Sequence, residues 1–237
     1  AILPSFVSQF FERLNFVGGY KLHKTRIVGR AGGQDQPAFT VEGTGQLSNA
    51  SANLVLPVED LTGQVDFKLT TQSGHHWPLV DIRLNAQHLR ALNRIVSPFV
   101  AKFSNTEQFD ILRLETLAGE CYEGLIHGSG QFELREHGHY ELRVALVDCQ
   151  VGPFLQPDVD TGAKSRTGGQ RTNGLLSASL TLEGYRGLPD WRLGRGGVAV
   201  REANLYEWPL SLALLQITNL TFPTARAFES ASTEYLI

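Results

Sequence analysis

The sequence predicts a mostly-β protein built on a large antiparallel sheet. Short runs of alternating apolar and polar residues recur along the chain. In residues 64–70, Val65, Phe67 and Leu69 share one face, and Asp66, Lys68 and Thr70 the other. Turn signals such as EGTG, LSNAS and QSGHH interrupt these runs about every 8–12 residues. Helical periodicity is confined to a few short amphipathic stretches.

A chain of 237 residues can bury a substantial core as one large domain or two small ones. Apolar content of 42% and charged content of 19% describe a folded chain. A net charge of −3 argues against nucleic acid as a partner. Residues 1–30 run the other way, with Arg13, Lys21, Lys24, Arg26 and Arg30 against Glu12. Such a patch suits a solvated face or anionic lipid head groups. No apolar run approaches the ~20 residues of a spanning helix, and no signal-peptide pattern stands at the start. Two cysteines fix no redox compartment.

Taken in order, residues 5–16 place Phe6, Phe10 and Leu14 at four-residue spacing, an amphipathic helix ended by Gly18-Gly19. Residues 20–84 read as strands, with Val80, Ile82 and Leu84 opposed by Asp81 and Arg83. Residues 86–96 break the rhythm: Leu89, Leu92, Ile95 and Val96 predict a short helix ending near Pro98. Strands resume at 110–116, 119–136 and 140–148, and residues 152–173 read as a loop. Leu79-Val80-Asp81 and Leu146-Val147-Asp148 hint at an internal repeat. A hairpin of 125–135 and 139–149 around Glu136-His137-Gly138 would pair Phe132 with Leu142 and Leu134 with Tyr140. That register sets Cys149 about 13 Å from Cys121, which predicts two unbridged thiols.

Candidate chemistry is sparse. His75-His76 and the pair His137 and His139, beside Glu136 and Glu141, lack a third ligand at metal-binding spacing, so no metal and no cofactor are expected. The glycines at 124, 128 and 130 and at 194, 196 and 197 lack the helix and Lys-Ser or Lys-Thr of a phosphate loop, and read as bends in a sheet. Asp66, Asp81, Asp110 and Asp148 form no evident catalytic pair, and no G-x-S-x-G elbow occurs. What remains is the apolar face. A second sheet could cover it in a closed sandwich, or a curved sheet could leave it open as a trough for acyl chains. Patterning alone leaves both open.

Residues 172–217 are the most distinctive stretch. Leu176, Ala178, Leu180 and Leu182 alternate with Ser177, Ser179, Thr181 and Glu183. A Gly-rich turn follows, then Gly194, Gly196 and Gly197 ahead of a strand carrying Val198 and Val200. Leu205-Tyr206 and Pro209 lead into an apolar helix near 209–218. With Gly174, Gly184, Leu193, Arg195 and Ala203 in their places, this order resembles the C-terminal region of the AsmA-like family, envelope proteins of diderm bacteria. The likeness covers residues 110–237, with Phe222-Pro223, Phe228, Ala231 and Tyr235 resembling the family's next strand, and covers 1–109 only in style.

The resemblance implies a strongly curved, groove-like, repeating sheet. Its N-terminal β-rich part would be 1–109 and its C-terminal part 110–237, in one continuous sheet. It implies a fragment of a periplasmic protein anchored to the inner membrane by segments outside this chain. It also implies a non-enzymatic role in holding or transferring phospholipid, with acyl chains and envelope proteins as partners. The groove residues expected are Phe67, Ile82, Leu114, Phe132, Leu142, Val144, Leu180 and Val198. The alternative is a structural or carbohydrate-binding β-sandwich with a closed core.

Overall fold

A computed structural model describes residues 16–30, 38–53, 55–71, 77–105, 109–155, 174–202 and 230–236. Among these the chain is nearly all strand: β1 (Val17–Arg30), β2 (Ala38–Asn53), β3 (Pro57–Thr70), β4 (Leu79–Ala91), β5 (Arg94–Val96), β6 (Phe99–Asn105), β7 (Ile111–Cys121), β8 (Gly124–Glu133), β9 (His139–Gln150), β10 (Leu175–Tyr185), β11 (Leu188–Arg201) and β12 (Ser230–Leu236). One short helix, α1 (Val151–Leu155), follows β9. The strands form a single open antiparallel sheet in chain order, with β5 pairing only with β4. The predicted mostly-β antiparallel fold is thus observed, and the described strands form no second sheet. Pairing of β6 with β7 carries the sheet across the 109/110 boundary. Of the predicted helices at 5–16 and 209–218, every residue but Phe16 lies outside the described residues.

Alternation forms these strands, and bulges bend them. Asn49, Asp60 and Asp148 adopt positive φ of 48°, 52° and 54°. Each sits where its strand carries one residue more than its partner. Asn and Asp enter this left-handed region at lower cost than most residues. An extra residue bends the strand and increases its twist.

Several expectations are corrected. Residues 86–96 form no helix. Leu92 and Asn93, both at positive φ, make the two-residue turn of a β4–β5 hairpin. A bulge at Gln87 turns both Ala86 and Leu89 inward, which imitates a helical three-residue spacing. The strand expected at 119–136 is divided by a similar turn at Tyr122-Glu123. Gly194, Gly196 and Gly197 lie within β11, not ahead of it. Residues 151–155, partly assigned to a loop, are helical. The Val-Asp repeat is not structural: Val80 is buried inside, whereas Val147 is exposed.

The β8–β9 register also differs by two residues. Phe132 pairs with Tyr140, and Leu125 with Val147. Leu134 has left β8, its N–H donating to Asp110 O at 2.7 Å, so the loop is longer than three residues. Within this loop His137 takes a positive φ of 50°. Gly138 is required for proximity, because a Cβ there would lie 2.3 Å from Glu133 O. The two-residue shift overturns the 13 Å separation of the cysteines. Cys121 pairs with Gly124, which packs against the backbone of Cys149, and the Cys149 thiol hydrogen-bonds with that of Cys121. No disulfide joins them.

Candidate functional site: an open apolar stripe between two buried rows

Directly paired residues share a face, so the register resolves the apolar side into rows running across the strands. One flanking row contains Val41, Leu69, Val80, Asn105, Leu112, Phe132 and Tyr140, all buried. The opposite flank contains Ala50, Leu61, Leu89, Val96, Cys121, Cys149, Leu176 and Val200, also buried. Between them the face opens. Phe67, Ile82 and Phe103 lie in one middle row and are only partly buried. Val65, Leu84, Leu117, Val144 and Leu180 lie in the next, again partly buried. Ile126, Leu146, Ala178 and Val198 continue the stripe on the β8–β11 side.

The stripe therefore runs obliquely across eight strands, β3 to β11 with β5 off the path. At ~4.8 Å between strands it is about 34 Å long. Among the described residues its lining contains no hydrogen-bonding side chain; Gly128, Gly130 and Gly196 fall within it.

The flanks are sealed differently. On the first, Asn105 accepts from Val80 N–H and donates to Pro78 O at 2.8 Å and Phe109 O at 2.9 Å. On the second, α1 brings Phe154 edge-on to Tyr122 at 6.0 Å, with Arg94 5.1 Å from the Phe154 ring centre.

The eight expected groove residues all fall on this one face. Phe67, Ile82, Val144, Leu180 and Val198 line the open stripe. Leu114, Phe132 and Leu142 are buried, at 4%, 2% and 7% exposure, and so act as wall and not lining. Val65, Leu84, Phe103, Leu117, Ile126, Leu146 and Ala178 were missed as lining residues. Alternation marked several of them as inward-facing, but only pairing register distinguishes stripe from flank.

The opposite face carries the charged and polar side chains, with Val100, Leu125, Val147 and Leu193 exposed among them. Asp66 accepts from Thr44 and Gln64, and Lys102 pairs with Glu115, which also accepts from Ser104. The Lys102 hydrogen bond is the largest influence holding the Glu115 carboxyl below its usual range. A hollow of about 820 Å³ on β1–β4 is lined by charges of both signs, among them Lys24, Arg26, Glu42, Asp81 and Arg83. They form no acid–base dyad around a shared point. His137 Nδ1 meets Arg186 O, and His139 Nε2 meets Glu183, so the two histidines diverge. Among the described residues no group of three potential ligands could hold a metal. No helix there is long and apolar enough to cross a membrane. His75 and His76 lie outside the described residues. Searches against family models, curated proteins and solved structures found no match to this chain.

Proposed function

We propose that the protein binds phospholipid by its acyl chains along the open stripe, holding or passing lipid without covalent chemistry. The observation that carries this reading is the contrast between two buried flanks and the partly exposed apolar strip between them. A length of about 34 Å exceeds the ~15 Å of one leaflet's acyl region, half of a ~30 Å hydrocarbon core. Each methylene buried contributes about 0.8 kcal/mol. A lining without hydrogen-bonding side chains offers a sliding chain no polar step, and favours recognition of chains over head groups. Phe67, Ile82, Val144, Leu180 and Val198 would touch the lipid, with Leu114, Phe132 and Leu142 supporting the wall. The resemblance of residues 110–237 to the AsmA-like family supports a periplasmic, inner-membrane-anchored setting and a part in outer-membrane assembly or lipid homeostasis.

The test is a photo-crosslinking residue placed at 144 or 180, compared with 143 or 181, whose native side chains lie on the polar face. Phospholipid captured at the first two sites and not at the others is expected. Equal capture from both faces would reduce the contact to nonspecific adhesion. No capture, with severe destabilisation at 144 and 180, would favour a closed core.

A further inference from the structure

The apolar face does not end in a covered border at β1. Tyr20, Leu22 and Ile27 are opposite Leu47, Gly45 and Val41 and so continue three rows of the inner face. Their partners are buried, yet they are themselves 60%, 37% and 55% exposed. Among the described residues β1 pairs only with β2, which leaves its other side without a ladder partner. A 14-residue strand that, among the described residues, is paired on one side only is a template for another strand. The polar face of this edge carries Lys21, Lys24 and Arg26, opposite Gln46, Thr44 and Glu42. Among the described residues, Arg26 alone of these three has an ion-pair partner, Glu42 at 3.6 Å.

We infer that β1 is a docking edge for an extended segment of a partner protein in which acidic residues alternate with apolar ones. Added beside β1, such a segment would set its carboxylates against Lys21, Lys24 and Arg26, and its apolar side chains against Tyr20, Leu22 and Ile27. The period of two in a strand delivers both sets together, and backbone hydrogen bonds would supply the rest. Charge also selects against a second copy docking through the same edge, because β1 against β1 would oppose cations to cations. This interaction is separate from lipid binding and does not require it.

The test uses the full chain and a fluorescent peptide of about twelve residues alternating Glu and Val, matched to the reach of β1. Anisotropy should report binding, and N-methylation of alternate peptide amides should abolish it. The double variant Lys21→Glu/Lys24→Glu, on an exposed strand and checked for folding by circular dichroism, should weaken binding about tenfold. Equal binding of a peptide with the same residues in separate Glu and Val blocks would overturn the proposal, as would no binding at all. Binding to phosphatidylglycerol vesicles that the double variant loses, with peptide binding unchanged, would assign the cations to a membrane surface instead. Self-association in the ultracentrifuge that the double variant abolishes would assign the edge to a second copy.

Discussion

Leu112 and Leu180 are the same residue type on the same apolar face, one in a buried flank and one in the open stripe. Leu112 is 1% exposed, paired with Phe132, and packed into the main core cluster. Leu112→Ala removes fully buried methyl groups and leaves a cavity with little room to collapse, a loss of about 2–5 kcal/mol. Leu180 is partly exposed, between Val144 on one side and Gly196 on the other. Its truncation opens onto solvent and not into a closed void. The cost is then mainly the transfer of its partly buried carbons, about 1–1.5 kcal/mol. Urea unfolding of both variants, with unchanged m-values, should separate them by about 2 kcal/mol at the middle of the two ranges and by more than ~0.5 kcal/mol at their nearest. Under conditions where both are folded, Leu180→Ala should lower phospholipid capture, and Leu112→Ala should leave it near wild type. Equal destabilisation within ~0.5 kcal/mol would mean that the stripe is as closed as its flanks, and the argument for an acyl-chain site would fail.

Other outcomes follow from local geometry. A Cβ on Gly124 would lie 2.4 Å from Cys149 N and 2.5 Å from Val147 O, so Gly124→Ala should destabilise by about 1–3 kcal/mol in thermal unfolding. Cys121 and Cys149 are 2% and 0% exposed, and burial pushes the Cys149 thiol up. Alkylation by iodoacetamide at neutral pH should therefore be much slower in the folded protein than in urea, and equal rates would contradict that packing. Asn105→Ala would strip partners from Val80 N–H, Pro78 O and Phe109 O in a site 1% exposed, at a cost of about 3 kcal/mol by urea titration. The Glu115 carboxyl is held below its ordinary 4.5, so its small contribution is present above that value and disappears as pH falls through the lower folded value. The pair is solvent-facing, so wild type should exceed Glu115→Gln by no more than ~1 kcal/mol at neutral pH, and the gap should close in acid.

Much of the fold is legible in single strands. The inward faces of β3, β4 and β10 follow from alternation, because one face of each meets the core and the other meets water. Register is less legible. Shifting β8 against β9 by two residues leaves every side chain on its original face, so alternation cannot distinguish Phe132–Leu142 from Phe132–Tyr140. The observed register is accompanied by a hydrogen bond from Leu134 N–H to Asp110 O, a contact with the start of β7 that no local pattern records. Bulges mislead more directly. At Gln87 one inserted residue makes Ala86 and Leu89 both inward, and the spacing reads as helix. The candidate site suffers from the same limit. Leu180 and Leu182 are neighbours on one face with identical side chains, yet one lines the stripe and the other is 5% exposed.

On the β8–β11 side, missing side-chain volume contributes to the exposure of the stripe. The two middle rows carry Gly43, Gly130 and Gly194, then Gly45, Gly128 and Gly196. The first flank instead stacks Leu69, Leu112, Phe132 and Tyr140. Glycine adds no side chain to cover its neighbours, and Val144 and Leu180, beside Gly128 and Gly196, are partly exposed; Leu114, Leu142 and Leu182, beside Gly130 and Gly194, are buried nonetheless, so glycine is one contribution and not the whole cause. At Gly128 the omission is also obligatory, since a Cβ would fall 2.5 Å from Arg143 O. Close backbone approach and missing side-chain volume thus have the same source. The flanks carry glycine as well, Gly184 opposite Tyr140 and Gly124 opposite Cys121, in rows that stay buried, so the strip is bounded by where large side chains pack and not by glycine placement alone. Under the proposed function, an acyl chain would be a mobile ligand whose methylenes restore the missing contacts without one fixed geometry, so that binding would still permit sliding.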